Sequence, residues 1–481
     1  MISGLVVDLF AGGGGASTGL ALALGRDPDI AINHDAEALS MHMANHPGTR
    51  HLLNDITRVL PLEATNGRQV DILHASPDCT HFSKAAGRKP RSQYIRDLAW
   101  VVVRWAEDTR PTLITLENVE EFQTWGPLDH EGLPIREQAG QTFRAWVRRL
   151  RRLGYRVEWR ELLACNYGAP TRRKRLFVVA RRDGGRIVWP EPTHGDPRSP
   201  EVQTGQLLPW RTAAECIDWS IPGRSIFDRQ KPLAPKTQRR IAEGLRRYVI
   251  TAERPFLLDS SRAAPVLSRQ FGCSIGQSVM EPHPTITQSN HDALITANLI
   301  KMRGTNIGTP VDEPLRTISA QGQHHALVSS CLVKYYGNES GGVPVSDPLH
   351  TITSKDRMAL VSASLMEGTN YEQTRDFLKE WKVIGPNEEA EFQKAGITYR
   401  ITDIMMRMLT PRELYTAQGF PTSYIIDHGA DGRSITKTAQ VRMCGNSVPP
   451  PMVAALIQAN GPDTWRTVEP IEHPLLVACA S

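Results

Sequence analysis

Short apolar runs alternate with stretches of helical periodicity along residues 1–180. The apolar runs predict strands and the stretches between them predict helices that cover the faces of a sheet. This rhythm predicts a doubly wound α/β sheet, in which ligands bind at the carboxyl ends of the strands. The predicted strands are Leu5–Phe10, Ile30–Asn33, Asp71–Ala75, Leu113–Leu116 and Arg175–Ala180, and the predicted helices are Ser17–Leu24, a segment ending near Asn45, Ile95–Glu107 and Gln141–Leu153.

After Gly184 the pattern changes, because proline and glycine become denser and short β-like runs replace the helices. From about Thr410 the first pattern returns, with helices predicted at Pro411–Gln418 and Val448–Ala459. Three copies of an internal repeat occur between these two points, anchored at Thr285, Thr317 and Thr351 with spacings of 32 and 34 residues. Repeats of this period indicate one supersecondary unit that is copied and stacked. Two interpretations of the repeat stay open: a structural β-array, or a set of similar loops presented to an extended ligand. Each copy is followed by a strand signal: Ala293–Ile295, Ala326–Val328 and Ala359–Val361.

Chain length and net charge add little to the predicted organisation. The chain has 481 residues, 40% of them hydrophobic, which suggests two or three domains with an ordinary core. The formal net charge is +5, but arginines cluster in a way that suits a polyanion such as nucleic acid, or simply a solvated helix face. The clusters are Arg144–Arg152, Arg172–Arg175 and Arg239–Arg247.

The seven cysteines are widely spaced and form no CxxC pair. This argues against a disulfide framework and against a zinc site, so we expect no bound metal and a reducing, cytoplasmic location. No basic segment precedes the apolar run at the amino terminus, so no signal peptide is expected. No segment approaches the roughly 20 apolar residues that span a bilayer, so no membrane partner is expected.

Four of the predicted strands adjoin residues that could carry chemistry. A glycine loop, Asp8–Gly15, follows the first strand, where glycine lets the backbone approach a ligand and the next helix offers N–H groups. Cys79 follows the third strand, although a free cysteine is more often a buried small hydrophobe. Glu117 follows the fourth strand, and Arg173 and Arg175 lead into the fifth. None of these signals is specific alone.

As an ordered set, these elements resemble the DNA cytosine-5 methyltransferase family of bacterial or phage type. The resemblance covers roughly residues 1–180 and 405–460. Thr171 stands where the family's Gln-x-Arg-x-Arg motif has glutamine. The matching residues are Phe10, Gly12 and Gly14 of the glycine loop, Cys79, Phe82 and Ser83 of the Pro-Cys loop, Glu117–Val119, Arg173 and Arg175, Leu409–Glu413, Gln418–Pro421 and Gly445–Val448.

The resemblance implies a Rossmann-like S-adenosylmethionine-dependent methyltransferase sheet with a β-rich, repeat-containing target-recognition domain. We expect the catalytic domain at residues 1–184 and the target-recognition domain at residues 185–404. Residues 405–465 would return to complete the catalytic domain, and residues 466–481 would form a C-terminal tail.

The resemblance also implies a reaction. The family transfers a methyl group from S-adenosylmethionine to carbon 5 of a cytosine within a specific duplex DNA sequence, in restriction-modification or in protection of phage DNA. Cys79 would add to carbon 6 of the ring as a covalent nucleophile. Glu117 would hydrogen-bond N3 and the exocyclic amine, with Arg173 and Arg175 orienting Glu117 and the base. The cytosine must be flipped out of the duplex to meet these groups.

S-adenosylmethionine would lie over the glycine loop and the neighbouring strand ends. Asn33 aligns with the family's acidic ribose ligand, so that contact would lose its charge assistance. Asp55 resembles the family's adenine-contacting aspartate. The residues expected at the cofactor are Asp8, Phe10, Ala11, Gly12, Gly13, Gly14, Asn33, His34, Asp35, Asp55, Ile56, Ser76, Pro77, Asn446 and Ser447.

Residues 80–96 combine small and basic residues, and we predict a mobile loop that closes on DNA phosphates. A surface loop without that role is the alternative. The expected partners are double-stranded DNA and a cognate restriction enzyme, and the chain is expected to be a monomer. The residues expected to contact DNA are Ser83, Lys84, Arg88, Lys89 and Arg91.

Asp78 departs from the family, which has a second proline before the cysteine. A carboxylate beside Cys79 should disfavour the thiolate unless it points away or pairs with a base. Three alternatives stay open, and Asp78 motivates the last of them. The chain could be an amino-methyltransferase, whose Ser-Pro-Pro-Tyr-like loop Ser76–Cys79 resembles, or a methyltransferase of RNA, or a DNA-binding protein without activity.

Overall fold

The computed structural model describes residues 3–78, 82, 92–252, 370–394 and 397–461, together with seven separate strand segments between residues 257 and 361. The strands of its first sheet are β1 (Leu5–Leu9), β2 (Ile30–Asn33), β3 (Arg50–Leu53), β4 (Val70–Ala75), β5 (Leu113–Asn118), β6 (Arg156–Leu163) and β7 (Lys174–Arg181).

The first sheet has the strand order β3-β2-β1-β4-β5-β7-β6. Strands β1 to β5 run parallel, whereas β7 is antiparallel to both β5 and β6. This arrangement confirms the predicted α/β class. Because the carboxyl ends of parallel strands meet at one edge, the segments that follow β1 to β5 all lie on the same side of the sheet.

The sequence pattern missed β3 and β6, which are the two edge strands of this sheet. An edge strand is buried on fewer sides, so its sequence carries polar residues where a central strand has a continuous apolar run. Both ends of β3 are exposed, and β6 contains four charged residues in eight.

Helices follow β1, β2 and β4 as predicted, with one correction. The single helix predicted at Ile95–Glu107 is wrong, because two helices occupy this stretch. The amides of Leu98 and Val101 bond the carbonyls three residues earlier, at 3.3 and 3.1 Å, so the chain tightens between the helices. The helices of this part are α1 (Gly15–Leu24), α2 (Ala36–Asn45), α3 (Pro61–Thr65), α4 (Gln93–Asp97), α5 (Trp100–Thr109) and α6 (Gln141–Arg152).

A second, ten-stranded sheet occupies the later part of the chain, beside a small two-stranded one. The two-stranded sheet contains β8 (His194–Gly195) and β9 (Leu208–Pro209). The ten strands are β10 (Arg224–Ser225), β11 (Leu257–Leu258), β12 (Ala263–Arg269), β13 (Asp292–Ile300), β14 (Val328–Ser329), β15 (Cys331–Lys334), β16 (Val343–Pro344), β17 (Met358–Val361), β18 (Glu391–Lys394) and β19 (Ile397–Met408).

The strand signals of two repeat copies lie in this sheet. Leu294 of β13 and Leu360 of β17 occupy equivalent positions in the repeat, and both pair with Arg407 of β19. In the middle copy, Val328 begins β14, whereas the two residues before it and the three threonine anchors lie outside the described residues. Strand β19 runs across the boundary expected at residue 404, so the limits of the domains stay predictions.

Helices also occur between Gly184 and Thr410, so the expectation that β-like runs replace them there is wrong, whereas the helices predicted at Pro411–Gln418 and Val448–Ala459 are confirmed. The helices after Gly184 are α7 (Pro200–Gln203), α8 (Pro235–Leu245), α9 (Tyr371–Glu380), α10 (Pro411–Ala417), α11 (Lys437–Asn446) and α12 (Pro450–Asn460). Short 3₁₀ turns span Glu120–Thr124, Arg136–Gln138, Ala164–Tyr167 and Ala213–Cys216, and a π-helical turn spans Arg246–Ile250.

The first sheet has two buried faces of different chemistry. The α5–α6 face carries apolar strand residues that pack on Trp105 of α5 and Trp146 of α6. The α1–α12 face packs on Leu20 of α1 and Met452 of α12. Side chains alternate between faces along a strand, so residues two apart share a face. On the α1–α12 face, three buried polar residues lie side by side in register: Asp8, His74 and Thr115.

Candidate active site

The glycine loop contains a residue with a strained backbone conformation. Phe10 has φ = 63°, a left-handed conformation that is uncommon without glycine and is often found at functional sites. Gly12 has φ = 53°, and a Cβ there would meet only the carbonyl of Phe10 at 3.8 Å, so one side of the loop is open. Helix α1 starts next, with no side-chain cap at Gly14. Its first N–H groups suit an anionic group of a ligand.

Residues far along the chain pack against this loop. A Cβ on Gly15 would lie 1.8 Å from the hydroxyl oxygen of Ser447, so only glycine permits this approach. Tyr424 donates a hydrogen bond from its hydroxyl to the carbonyl of Gly13 at 2.7 Å, and it is fully buried. Asn446 is exposed, whereas Ser447 is buried. The segments after residue 420 therefore help to shape the loop.

Asp8 lies behind the loop rather than in it. Its side chain is fully buried, and one oxygen accepts a hydrogen bond from Ser17 at 2.7 Å. Burial raises the pKa of Asp8 to about 7. The hydroxyl of Ser17 also lies 2.9 Å from His42, which in turn lies 2.8 Å from His51. The expected cofactor contact of Asp8 stays a prediction, and the visible role of the side chain is to hold α1 against β1.

The end of β2 gives its polar residues structural partners. Asn33 accepts a hydrogen bond from the amide of Asp35 at 2.8 Å. Asp35 caps α2 through one oxygen and pairs with Arg442 through the other at 2.5 Å, and the pKa of this half-buried carboxyl is lowered, since its bonds outweigh its desolvation. His34 is exposed. The cofactor contacts expected of Asn33, His34 and Asp35 stay predictions.

Asp55 and Ile56 follow β3. One oxygen of Asp55 accepts bonds from the amide and hydroxyl of Thr57 at 2.9 and 2.8 Å, and the other accepts from Tyr94 at 3.1 Å. The bonds from Thr57 lower the pKa of Asp55. Ile56 is buried, and its carbonyl accepts a bond from Arg104 at 2.8 Å. These contacts fix the position of Asp55 at the carboxyl edge.

Ser76 and Pro77 follow β4 and are both tied to neighbouring groups. The hydroxyl of Ser76 lies 3.0 Å from Nε2 of His74. The carbonyl of Pro77 accepts a hydrogen bond from the buried side chain of Asn118 at 3.0 Å. Cys79 lies outside the described residues, as do the residues expected to contact DNA: Ser83, Lys84, Arg88, Lys89 and Arg91.

Glu117 and Arg175 form an ion pair at the carboxyl end of β5, with 3.0 Å between Nε of Arg175 and Oε1 of Glu117. Their side chains are only 8% and 10% exposed, so the pair is largely desolvated. Arg173 and Thr171 are also buried. The structure thus brings together Glu117 and Arg175 as the sequence predicted. A carboxylate fixed in this way can accept hydrogen bonds from an amine or ring N–H group.

The sequence did not single out four residues whose contacts shape the site: His74, Thr115, Ser17 and Tyr424. The signal for the first two was available, because each stands two residues before a predicted site residue and therefore on the same face of its strand. Ser17 and Tyr424 gave no local signal, since their partners come from other elements.

The loop and strand ends fit S-adenosylmethionine. Its carboxylate suits the uncapped N-terminus of α1, and its methionine part suits the open side at Gly12. The carboxylate of Asp55 offers a hydrogen-bond acceptor to a polar group of this ligand. Among the described residues, no group of three or more His, Cys, Asp and Glu side chains could hold a metal ion. Within the same part of the chain, no helix is long and apolar enough to cross a membrane.

The family model for C-5 cytosine-specific DNA methylases matches residues 5–281 and 315–461 of this chain. The chain belongs to this family.

Three curated relatives are similar to parts of this chain. Type II methyltransferase M1.HphI of Haemophilus parahaemolyticus is 30% identical over 197 residues, which cover 39% of this chain and 48% of that protein. M.AquIA of Picosynechococcus is 28% identical over 236 residues, covering 45% and 89%. M.AgeI of Thalassovita gelatinovora is 31% identical over 254 residues, covering 48% and 56%. The chain thus spans about half the length of the first and third relatives.

Proposed function

We propose that the protein is a DNA (cytosine-5-)-methyltransferase that modifies carbon 5 of a cytosine flipped out of a specific duplex sequence. The observation that carries this proposal is the desolvated Glu117–Arg175 pair at the edge where the chain continues from Ser76 toward Cys79. Family membership supports the same reaction.

Glu117 acts on the target base. With Oε1 held by Arg175, its carboxylate is oriented before the base arrives, and little water must be displaced. Such preorganised groups stabilise charge that develops in a transition state. The Glu117 carboxylate accepts a hydrogen bond from the exocyclic amine of cytosine. As carbon 6 is attacked, N3 takes up a proton from water, and the new N3–H donates to the same carboxylate. Arg173 is buried and lies two residues before Arg175 in the sequence, and it assists in holding the base.

Cys79 acts as the nucleophile. Its thiolate adds to carbon 6, which makes carbon 5 electron-rich. Once carbon 5 carries the methyl group, its proton passes to water, and the electron pair left behind expels the Cys79 thiolate from carbon 6 and restores the ring. Cys165, Cys216 and Cys444 are poor candidates, because burial raises the pKa of each thiol and keeps it protonated.

S-adenosylmethionine, when bound, supplies a methyl group of electrophilic character at carbon 5. The residues that would hold it are Phe10–Gly14 with the N-terminus of α1, the ends of β2 and β3 at Asn33 and Asp55, and Ser447. These residues would hold and orient the ligand at the carboxyl edge of the first sheet.

Duplex DNA is the proposed substrate, contacted by the basic residues between 83 and 91 and read by the region 185–404, which contains the repeats. The names of the relatives suggest a modification enzyme of a restriction system, and protection of phage DNA is the related role. The reaction then takes place in the cytoplasm of a bacterial or infected cell. The protein acts as a monomer, with a cognate restriction enzyme as its functional partner.

Bisulfite sequencing of DNA from cells that express the protein tests this function. The wild type should protect cytosines within one sequence, and Cys79→Ser should protect none. Cys216→Ser serves as the matched control, because that thiol is buried in a hydrophobic cluster that contains neither Glu117 nor the two arginines, and it should keep the wild-type pattern. Methylation at N4, or no methylation by the wild type, would refute the proposal.

A further inference from the structure

His74 is a buried imidazole to which the proposed reaction assigns no role. It lies in β4, fully buried on the α1–α12 face. Its Nδ1 is 2.9 Å from the hydroxyl of Thr115 in β5, and its Nε2 is 3.0 Å from the hydroxyl of Ser76. Both ring nitrogens are therefore engaged, one with each of two elements.

The imidazole is neutral. Burial lowers the pKa of His74 to about 3, so at physiological pH one ring nitrogen donates and the other accepts. Hydroxyl groups can take either role, so Thr115 and Ser76 complete the chain of hydrogen bonds in either direction. This bridge brings no charge into the sheet.

A second contact secures the next residue. Asn118, in β5, donates from its side-chain amide to the carbonyl of Pro77 at 3.0 Å and accepts from the amide of Val119 at 2.9 Å. Two consecutive residues, Ser76 and Pro77, are thus bound to β5, the strand that carries Glu117. The contacts reach them from different sides, one through His74 and one through Asn118.

Register links these contacts to the active site. His74 pairs with Thr115 across β4 and β5, and Glu117 lies two residues beyond Thr115 on the same face. Ser76 lies two residues beyond His74. The hydrogen bonds of His74 therefore connect the neighbouring strands β4 and β5, two residues before the position where Glu117 pairs with Arg175.

We propose that His74 is a positioning residue that fixes the start of the Cys79 loop relative to Glu117. The inference rests on the proposed function. A nucleophile and a base-binding carboxylate must be held at a set separation, and small errors in such geometry cost rate. Phenylalanine in this place would fill the space but release Ser76 from β5.

The experiment compares His74→Phe, His74→Gln and the wild type in full-length protein with duplex DNA. His74→Phe should lower kcat by about 100-fold, while KM for DNA stays within about threefold, since no group that touches the duplex has changed. His74→Gln, whose amide can still reach Ser76, should recover kcat to within about tenfold of the wild type. His130→Phe, at an exposed histidine, is the matched control and should change neither constant.

Unchanged kcat in a folded His74→Phe variant, or no recovery by glutamine, would overturn the inference while leaving the proposed function intact. If His74→Phe does not fold, Thr115→Val replaces it, because valine keeps the shape and removes one end of the bridge; its kcat should fall about tenfold.

A second readout separates the two proposals. If the wild type transfers no methyl group, the proposed function fails, and hydrogen exchange of the peptide covering residues 76–82 then decides on His74. Exchange there should be at least about tenfold faster in His74→Phe than in the wild type. Equal exchange rates would contradict the inference.

Discussion

The two faces of the first sheet differ in what they bury. The α5–α6 face contains aliphatic and aromatic side chains, among them Trp105 and Trp146, both fully buried. The α1–α12 face contains a row of polar groups, Asp8, His74 and Thr115, just below Glu117. Polar groups cost free energy when buried, and they are retained where they are hydrogen-bonded. Apolar packing stabilises the sheet on both faces, and only the α1–α12 face adds the polar row that leads to Glu117.

The largest expected effect breaks the apolar face. Trp146→Ala should lower the free energy of unfolding by about 3–5 kcal/mol, because the indole is fully buried and its N–H bonds the carbonyl of Ala99 at 2.9 Å. Urea unfolding measures this loss. The kcat of the molecules that remain folded should stay close to that of the wild type; a hundredfold lower kcat would show that this face also serves the chemistry.

A slightly smaller effect is expected on the polar face. Glu117→Gln keeps the shape of the side chain but removes its charge, so kcat should fall by about 10²–10³-fold, and the free energy of unfolding should also fall because Arg175 stays buried without its partner. Steady-state methyl transfer to duplex DNA measures it. Glu107→Gln is the control, since Glu107 pairs with Arg149 on α5 and α6, and it should retain wild-type kcat. Equal losses in both variants would contradict the assignment.

Much of this arrangement could be predicted from the sequence, for reasons that differ by element. The central strands showed uninterrupted apolar runs, and Glu117 stood at the end of one of them. The spacing of His74 and Thr115 two residues before Ser76 and Glu117 indicates the face on which each lies. That the two side chains meet depends on the register between β4 and β5, which no local pattern encodes. The contact between Gly15 and Ser447 joins residues more than four hundred positions apart, and the local pattern could not reveal it.

The pH dependence of stability gives a third, intermediate effect. Burial holds the pKa of His74 near 3, below its value in the unfolded chain, so below pH 6.5 the unfolded state binds a proton that the folded state does not. The stability that His74 contributes as a neutral group is fully present above pH 6.5 and is lost as the pH falls below that value. Between pH 6.5 and pH 5 the wild type should lose about 2 kcal/mol more than His74→Gln.

Urea unfolding at the two pH values checks this prediction, and a difference rather than an absolute slope is needed because Asp8 acts in the opposite sense. Burial raises the pKa of Asp8 to about 7, so its effect weakens the fold as the pH rises from 4 to 7. His130→Gln, at an exposed site, should follow the wild type. Identical losses in all three proteins would show that His74 is not buried as a neutral group.

The smallest effect is expected at a half-exposed pair outside both faces. Arg442 bonds Asp35 and Glu37 at 2.5 and 3.1 Å and joins α11 to the start of α2. Partly exposed ion pairs contribute little, so Arg442→Ala should cost less than about 1 kcal/mol, and less still at high salt. Thermal unfolding at two salt concentrations measures this. A loss as large as that of Trp146→Ala would mean that this contact, rather than the apolar face, holds the fold.

The covalent step at Cys79 is the central claim, and duplex DNA containing 5-fluorocytosine at the target position tests it most directly. Fluorine cannot leave carbon 5 as the proton does, so the bond between sulfur and carbon 6 should persist in the presence of S-adenosylmethionine. Mass spectrometry of the digested complex should then show the nucleotide attached to Cys79 in the wild type and no adduct in Cys79→Ser. An adduct on another residue, or none from a wild type that methylates DNA, would contradict the account.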